Sequence, residues 1–215
     1  MRYAVLLGVG AVGFGLLAWQ IHAPLLAWAP AWLAFGFGVA ALGYAGMGPG
    51  VFGKRADGTR APWAYLVVGP FLLVSQFTRQ LQLQLLGENP YDLVAPGLYV
   101  GRLIGRRRMP ADVRTVVDMT SEFLEAPAIR AELNYLCLPT LDGTAHTLSP
   151  LVPFAQAVLA SEGPHYIHCA AGHGRSSMVA AIVLVVRGDA DTVDAAEAQM
   201  KSARPRVHLG RAQPV

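Results

Sequence analysis

Between Tyr3 and Gly53 the sequence has no Asp, Glu, Lys or Arg. A stretch without charge cannot supply the solvated face of a water-soluble domain. Over the whole chain only 14% of residues are charged and 53% are hydrophobic, too apolar for a purely soluble enzyme of 215 residues. Cysteine is scarce. The two present, Cys137 and Cys169, exclude a disulfide framework. CxxC pairs are missing and the six histidines are scattered, so no zinc site and no metal is expected. The formal charge of +3 is too small to mark a nucleic-acid binder. The length accommodates one ordinary domain and something extra.

The extra part is at the N-terminus. Two apolar runs, Tyr3–Trp19 and Ala23–Met47, are separated only by Gln20-Ile21-His22. Each is long enough to cross a hydrocarbon core, which takes roughly 17–25 residues, so residues 1–50 read as a transmembrane helical hairpin. Small residues four apart (Ala4/Gly8, Ala11/Gly15, Ala34/Gly38, Gly36/Ala40) allow the two helices to approach closely. Trp19, Trp28 and Trp32 are candidate interface anchors. Arg2 at one end and Lys54, Arg55 and Arg60 at the other put both ends of the hairpin in the cytoplasm by the positive-inside rule. The segment Ala61–Thr78 is again uncharged but holds Gly69-Pro70, Ser75 and Gln76. It reads as an interfacial helix with Trp63 and Tyr65 at the boundary, a third crossing being the alternative. Arg79–Leu86 alternates Gln and Leu and suits a short strand or the polar edge of that helix. Residues 51–88 are therefore a basic, membrane-proximal linker. The expected location is a membrane, crossed more than once, such as a bacterial inner membrane.

From residue 89 to 215 charge returns and short apolar strands alternate with helical patterns. Leu98–Val100, Val113–Met119 and Asn134–Leu138 read as strands; Leu124–Leu133, Leu151–Leu159 and Asp191–Ala203, with Asp191 as cap, read as helices. The implied fold is α/β, a mainly parallel central sheet flanked by helices. Within it one stretch concentrates chemistry: His168-Cys169-Ala170-Ala171-Gly172-His173-Gly174-Arg175-Ser176-Ser177. An apolar strand enters it and an apolar helix leaves it. The helix start offers unpaired N–H groups and the positive end of a dipole, which binds phosphate and favours a thiolate. Arg175 adds a planar fork for two phosphate oxygens. A cysteine at the floor of such a cradle can attack phosphorus and form a cysteinyl-phosphate that water hydrolyses.

This stretch resembles the HCxxGxxR(S/T) phosphate-binding loop of the protein-tyrosine-phosphatase superfamily, and its small dual-specificity branch in particular. Ala95–Gly101 resembles that branch's opening segment, Val116–Thr120 its second strand, Arg204-Pro205 its C-terminal motif, and Leu138–Gly143 the loop that carries the general acid. The resemblance implies Cys169 as nucleophile, Arg175 as clamp, Asp142 as general acid and Ser176 as the hydroxyl that assists release of the thiolate. Ala170, Ala171, Gly172, His173, Gly174 and Arg175 then bind the phosphate, and His168 supports the nucleophile. Asp118 is the rival acid, although a strand-end position suits a brace. No cofactor is implied. The expected substrate is a phosphoprotein (Tyr, Ser or Thr). A lipid phosphate of phosphatidylglycerophosphate or phosphoinositide type is the alternative, and an inactive phosphate-binding membrane scaffold is a further one. The neutral Ala170 and Ala171 speak against a highly charged inositol headgroup. The basic cluster Arg102, Arg106, Arg107 and Arg108 is either a contact for anionic lipid or a solvated turn.

Overall fold

The computed structural model of the chain describes residues 2–143 and 148–209. Its N-terminal part is a helical hairpin, α1 (Arg2–Gln20) and α2 (Pro24–Leu42). The small residues act as the sequence implies. A Cβ on Gly38 would only just touch that of Ala11, and one on Gly15 that of Ala34, so the two backbones lie close. Among the described residues, these are the two helices long and apolar enough to cross a membrane. Trp19 and Trp28 are exposed. Trp32 is engaged instead, its Nε1 donating to the Leu66 carbonyl at 2.6 Å.

α2 ends in a wide turn over Gly43–Met47, and the chain then enters the segment Lys54–Arg60, whose ends pair with each other. Here the expectation of a basic linker needs correction. Lys54 and Arg60 are buried, not spread over a headgroup layer. Lys54 Nζ lies 2.6 Å from Asp118 Oδ2 and also donates to the carbonyl and hydroxyl of Thr120. Arg60 Nη2 donates to the carbonyls of Ser121 and Glu122.

Next comes α3 (Pro62–Leu86), continuous through Pro70 and through the Gln/Leu stretch. Gly69-Pro70 therefore does not break it, and Arg79–Leu86 is helix, not strand. A proline ring costs a helix one hydrogen bond and crowds the preceding turn. Close packing compensates here, because Pro70 lies against Gly36 of α2, where no side chain intrudes. Ala64, Val68, Phe71 and Leu72 face inward and join Phe52, Ala40 and Leu141 in one cluster, while Leu66, Leu73, Phe77 and Leu85 remain exposed. Both ends of α3 are tied to the sheet domain: Arg60, just before it, reaches Ser121 and Glu122, and Arg79, in its last two turns, reaches Leu103 and Ala170.

The sheet domain has five strands, β1 (Tyr91–Ala95), β2 (Leu98–Arg102), β3 (Thr115–Thr120), β4 (Asn134–Thr140) and β5 (His165–Cys169), in the order β1-β2-β5-β3-β4. All neighbours are parallel except β1 and β2, an antiparallel edge pair. The α/β expectation holds. The strand β1 was not anticipated, since Asp92 and a single short apolar run hide it in sequence. The helices are α4 (Pro127–Glu132), α5 (Leu148–Leu159), α6 (Arg175–Arg187) and α7 (Val193–Ala203). α4 is shorter than its apolar pattern, starting at Pro127 because proline suits a first turn. α7 is capped by Thr192, whose hydroxyl accepts from the Ala195 amide, and not by Asp191. β3 and β5 are buried along their whole length, as central parallel strands must be. One face packs Val117, Ile167, Val179 and Val183; the other packs Val116, Tyr166 and Ile129.

Candidate active site

β5 delivers Cys169 to the carboxyl edge of the sheet, where parallel α/β folds bind their ligands. The chain then turns through 170–174 and enters α6. Gly172 has φ +79°, and a Cβ there would collide with the Gly101 backbone, so only glycine closes this turn. The loop's carbonyls are held from outside. Arg204, buried at the back, donates to the carbonyls of Ala171 and Gly172 at 2.9 and 2.8 Å, and Arg79 donates to that of Ala170. Fixing these carbonyls outward leaves the loop amides to the inside. The Gly172 amide lies 3.2 Å from Cys169 Sγ, and those of Ala171, His173 and Gly174 have no partner among the described residues. Such a nest of amides attracts an anion.

Cys169 is buried, and burial alone would push its thiol up. The Arg175 guanidinium and the hydroxyl and amide of Ser176 outweigh it, and the thiol is lowered from its ordinary value. Ser176 Oγ is 3.5 Å from Sγ. Arg175 is buried, its outer nitrogens held while Nε makes no hydrogen bond. Nη1 and Nη2 reach the two carboxylate oxygens of Glu122 at 2.8 and 2.6 Å, Nη1 also reaches the Thr140 carbonyl, and Nε lies 3.2 Å from Asp142 Oδ1. Burial would raise the Glu122 carboxyl, but Arg175 holds it below the ordinary carboxylate range. Asp142 is 56% exposed at the mouth. Of the run that follows it, Thr144 and Ala145 lie outside the described residues.

His168 is buried, its Nε2 2.8 Å from Glu125 Oε2 and its Nδ1 3.4 Å from the Cys169 carbonyl. Burial alone would keep the ring neutral, yet Asp118 and Glu125 together raise its pKa. His173 contributes only backbone to the cradle, because its ring is turned to Glu88 at 2.6 Å. Burial holds that ring below its ordinary pKa. Asp118 is a brace. Its oxygens accept from Lys54, Thr120 and Tyr135, and none is free for a leaving group. Asp118, Glu125 and His168 do converge within 4.8 Å, a spacing a metal ion would accept, but the Lys54 ammonium already supplies the positive charge there. Cys137 is buried on β4 and its thiol is pushed up to about 11, which makes it an inert core residue. Sequence reasoning missed Glu122, Glu125, Thr140, Arg79 and Arg204 as site residues. Only Arg204 carried a signal, the Arg-Pro pair.

The mouth opens into a cavity of about 320 Å³ that runs from Glu122, Asp142 and Ala170 past Arg79 to Tyr3, Leu6 and Phe71. The catalytic edge and the helical hairpin thus share one space.

A parallel sheet presenting a lowered cysteine and a buried arginine across a glycine turn defines a cysteine-dependent phosphatase of the dual-specificity type, a phosphoric monoester hydrolase. The chain belongs to the family described as PTP-SAK, "Swiss Army Knife protein, DSP-PTPase phosphatase domain", whose model matches residues 105–215, just over half of it. No curated protein sequence matches. Among solved structures it is similar to PTPMT1 in complex with PI(5)P, at 25% identity over 56% of this chain and 87% of that one, with a TM-score of 0.47. A point variant of human DUSP28 is similar at 26% identity, over 57% and 87%, with a TM-score of 0.48. Tk-PTP in its active form is similar at 19% identity, over 55% and 86%, with a TM-score of 0.46.

Proposed function

We propose that this phosphatase is anchored by the α1–α2 hairpin and hydrolyses a phosphomonoester carried on a lipid, in preference to the phosphoprotein first expected. The observation that carries this reading is the shared cavity. Its polar end is the cradle with Asp142 and Glu122, and its other end is Leu6, Leu7, Phe37 and Phe71 of the apolar helices. A phosphate in the cradle places whatever it is esterified to among acyl-compatible side chains. A phosphopeptide would have to thread polar backbone through the same space, at the cost of burying unpaired amides.

In this reading the Cys169 thiolate attacks phosphorus in line while Arg175 and the loop amides hold the non-bridging oxygens. The phosphorus–oxygen bond to the lipid breaks, and Asp142 gives its proton to the leaving alkoxide. Water then attacks the phosphocysteine and passes its proton to Asp142, and Ser176 donates a hydrogen bond to the departing thiolate. Glu122 and the Thr140 carbonyl set the angle of Arg175. The binding by α3 of the sheet domain at both its ends supports a helix lying along the bilayer surface, with Leu66, Leu73, Phe77 and Leu85 toward lipid. A spanning α3 would need those ends on opposite sides.

The test compares dioleoyl phosphatidic acid in mixed micelles with a soluble aryl phosphate. Leu6→Trp with Val74→Trp fills the apolar end of the cavity and should lower the lipid-to-aryl ratio of kcat/KM by about tenfold, ~1.4 kcal/mol. An unchanged ratio, together with phosphopeptides turned over faster than the lipid, would return the substrate to protein.

A further inference from the structure

On the other side of Arg79 from the apolar channel lies a larger cavity of about 800 Å³. Arg79, Arg102, Arg106, Arg107 and Arg108 line it, and Glu125 is the one acidic residue in its wall. The charges do not balance locally. Glu125 is committed to His168, and Arg106 pairs with Glu132 at 3.2 Å. Arg79 gives Nε to the Ala170 carbonyl and Nη2 to that of Leu103. Among the described residues, the guanidinium groups of Arg102, Arg107 and Arg108 have no acceptor. Burial first, and then Arg102, lower the pKa of Arg79, as a concentration of like charge in a half-buried space requires.

Position matters as much as charge. Arg102 stands opposite Cys169 in the parallel β2–β5 ladder, and Arg79 holds the carbonyl of Ala170, the first residue of the cradle. The cavity therefore shares Arg79 with the channel that reaches Ala170 and Asp142. The cradle itself carries neutral side chains at Ala170 and Ala171, so the positive charge for any further anionic group is supplied from this neighbouring wall.

We propose that the arginine-lined cavity is a second anion site of the same active centre. It receives a phosphate or phosphodiester group borne by the same substrate molecule whose monoester occupies the cradle. This rests on the phosphatase reading for the position of the scissile group, and not on the apolar channel. Planar guanidinium groups suit such a group because they offer paired N–H donors to its oxygens.

The experiment uses the full chain in detergent micelles, with aryl phosphate turnover as the readout. Two inhibitors without acyl chains are compared: glycerol 3-phosphate, and its glycerophosphoryl diester, which keeps the monoester and adds one anionic diester. The diester should inhibit with a Ki at least about tenfold lower, ~1.4 kcal/mol. Arg107→Gln with Arg108→Gln should bring the ratio of the two Ki values below about twofold, and Arg107→Lys with Arg108→Lys should keep most of it, since charge attracts even without the fork. A wild-type ratio near one, or a ratio that the glutamine pair leaves unmoved, overturns the proposal. A second arm places the enzyme in phosphatidylcholine vesicles with and without phosphatidylglycerol. Turnover that rises with phosphatidylglycerol, and loses that rise in the glutamine pair while the Ki ratio stays put, would assign the cavity to a separate bilayer lipid and also overturn it. Because neither inhibitor has an acyl chain, poor turnover of micellar phosphatidic acid would sink the lipid reading and leave this test intact.

Discussion

At the scale of single residues, the lowered thiol of Cys169 is the feature from which most follows. Burial opposes the thiolate, and Arg175 and then Ser176 reverse the balance. The folded pKa lies below that of an ordinary thiol, so kcat/KM should rise along an acid limb set at lower pH than a free cysteine would give. Ser176→Ala removes one donor and should move the limb to higher pH. The rate of alkylation by iodoacetamide, followed over the same pH range, should move with it; an unmoved alkylation profile would take Ser176 out of thiolate stabilisation. Asp142 makes a different prediction. Asp142→Asn should cost alkyl phosphates on the order of 10²-fold or more, the low end of general-acid contributions, and aryl phosphates with good leaving groups far less. Equal losses on both would leave the proton donor unassigned, since Asp118 is fully occupied by Lys54, Thr120 and Tyr135.

At the scale of elements, the segment Lys54–Arg60 and helix α3 join the hairpin to the catalytic edge. Lys54 and Asp118 form a pair with no exposed side-chain surface at the exit of β3, four residues before Glu122. Burial would raise the Asp118 carboxyl, but His168 and Lys54 bring it below its ordinary value. A carboxyl depressed in the folded state contributes stability above its unfolded pKa, about 3.9, and loses it as pH falls through the folded value. Lys54→Met leaves that charge buried without its partner. It should cost about 3–5 kcal/mol and move acid unfolding to higher pH, read by circular dichroism in detergent. Lys54→Met with Asp118→Asn should recover part of the loss. Without recovery, Lys54 would act by packing alone.

At the scale of the whole molecule, the ends of the hairpin, both ends of α3 and the cradle all lie on one side. Tyr3 at the start of α1 and Tyr44 in the turn after α2 lie with ring centroids 5.4 Å apart and line the cavity that reaches Asp142. Under the anchoring proposed above, with Arg2 and Arg55 on that same side, the positive-inside rule would place the catalytic domain in the cytoplasm. A reporter fused after Val215 checks this: green fluorescence is expected, and alkaline phosphatase activity would put the domain across the membrane.

The division between sequence and tertiary structure follows range. Features written in consecutive residues were legible: the two uncharged runs, the period of the buried strands, and the loop from His168 to Ser177, where one short turn brings nucleophile, amides and clamp together. The sequence by itself determined the α/β class and the place of the loop from Cys169 to Arg175 between a buried strand and a helix. Everything that depends on residues far apart was decided by the fold. Glu122 is 53 residues from Arg175, Arg79 is 91 from Ala170, and Lys54 is 64 from Asp118. Nothing local distinguishes those side chains from any surface glutamate, arginine or lysine. Only a tertiary structure that buries them beside opposite charges or carbonyl oxygens gives them a role, because a charge removed from water must find its partner wherever the chain brings one.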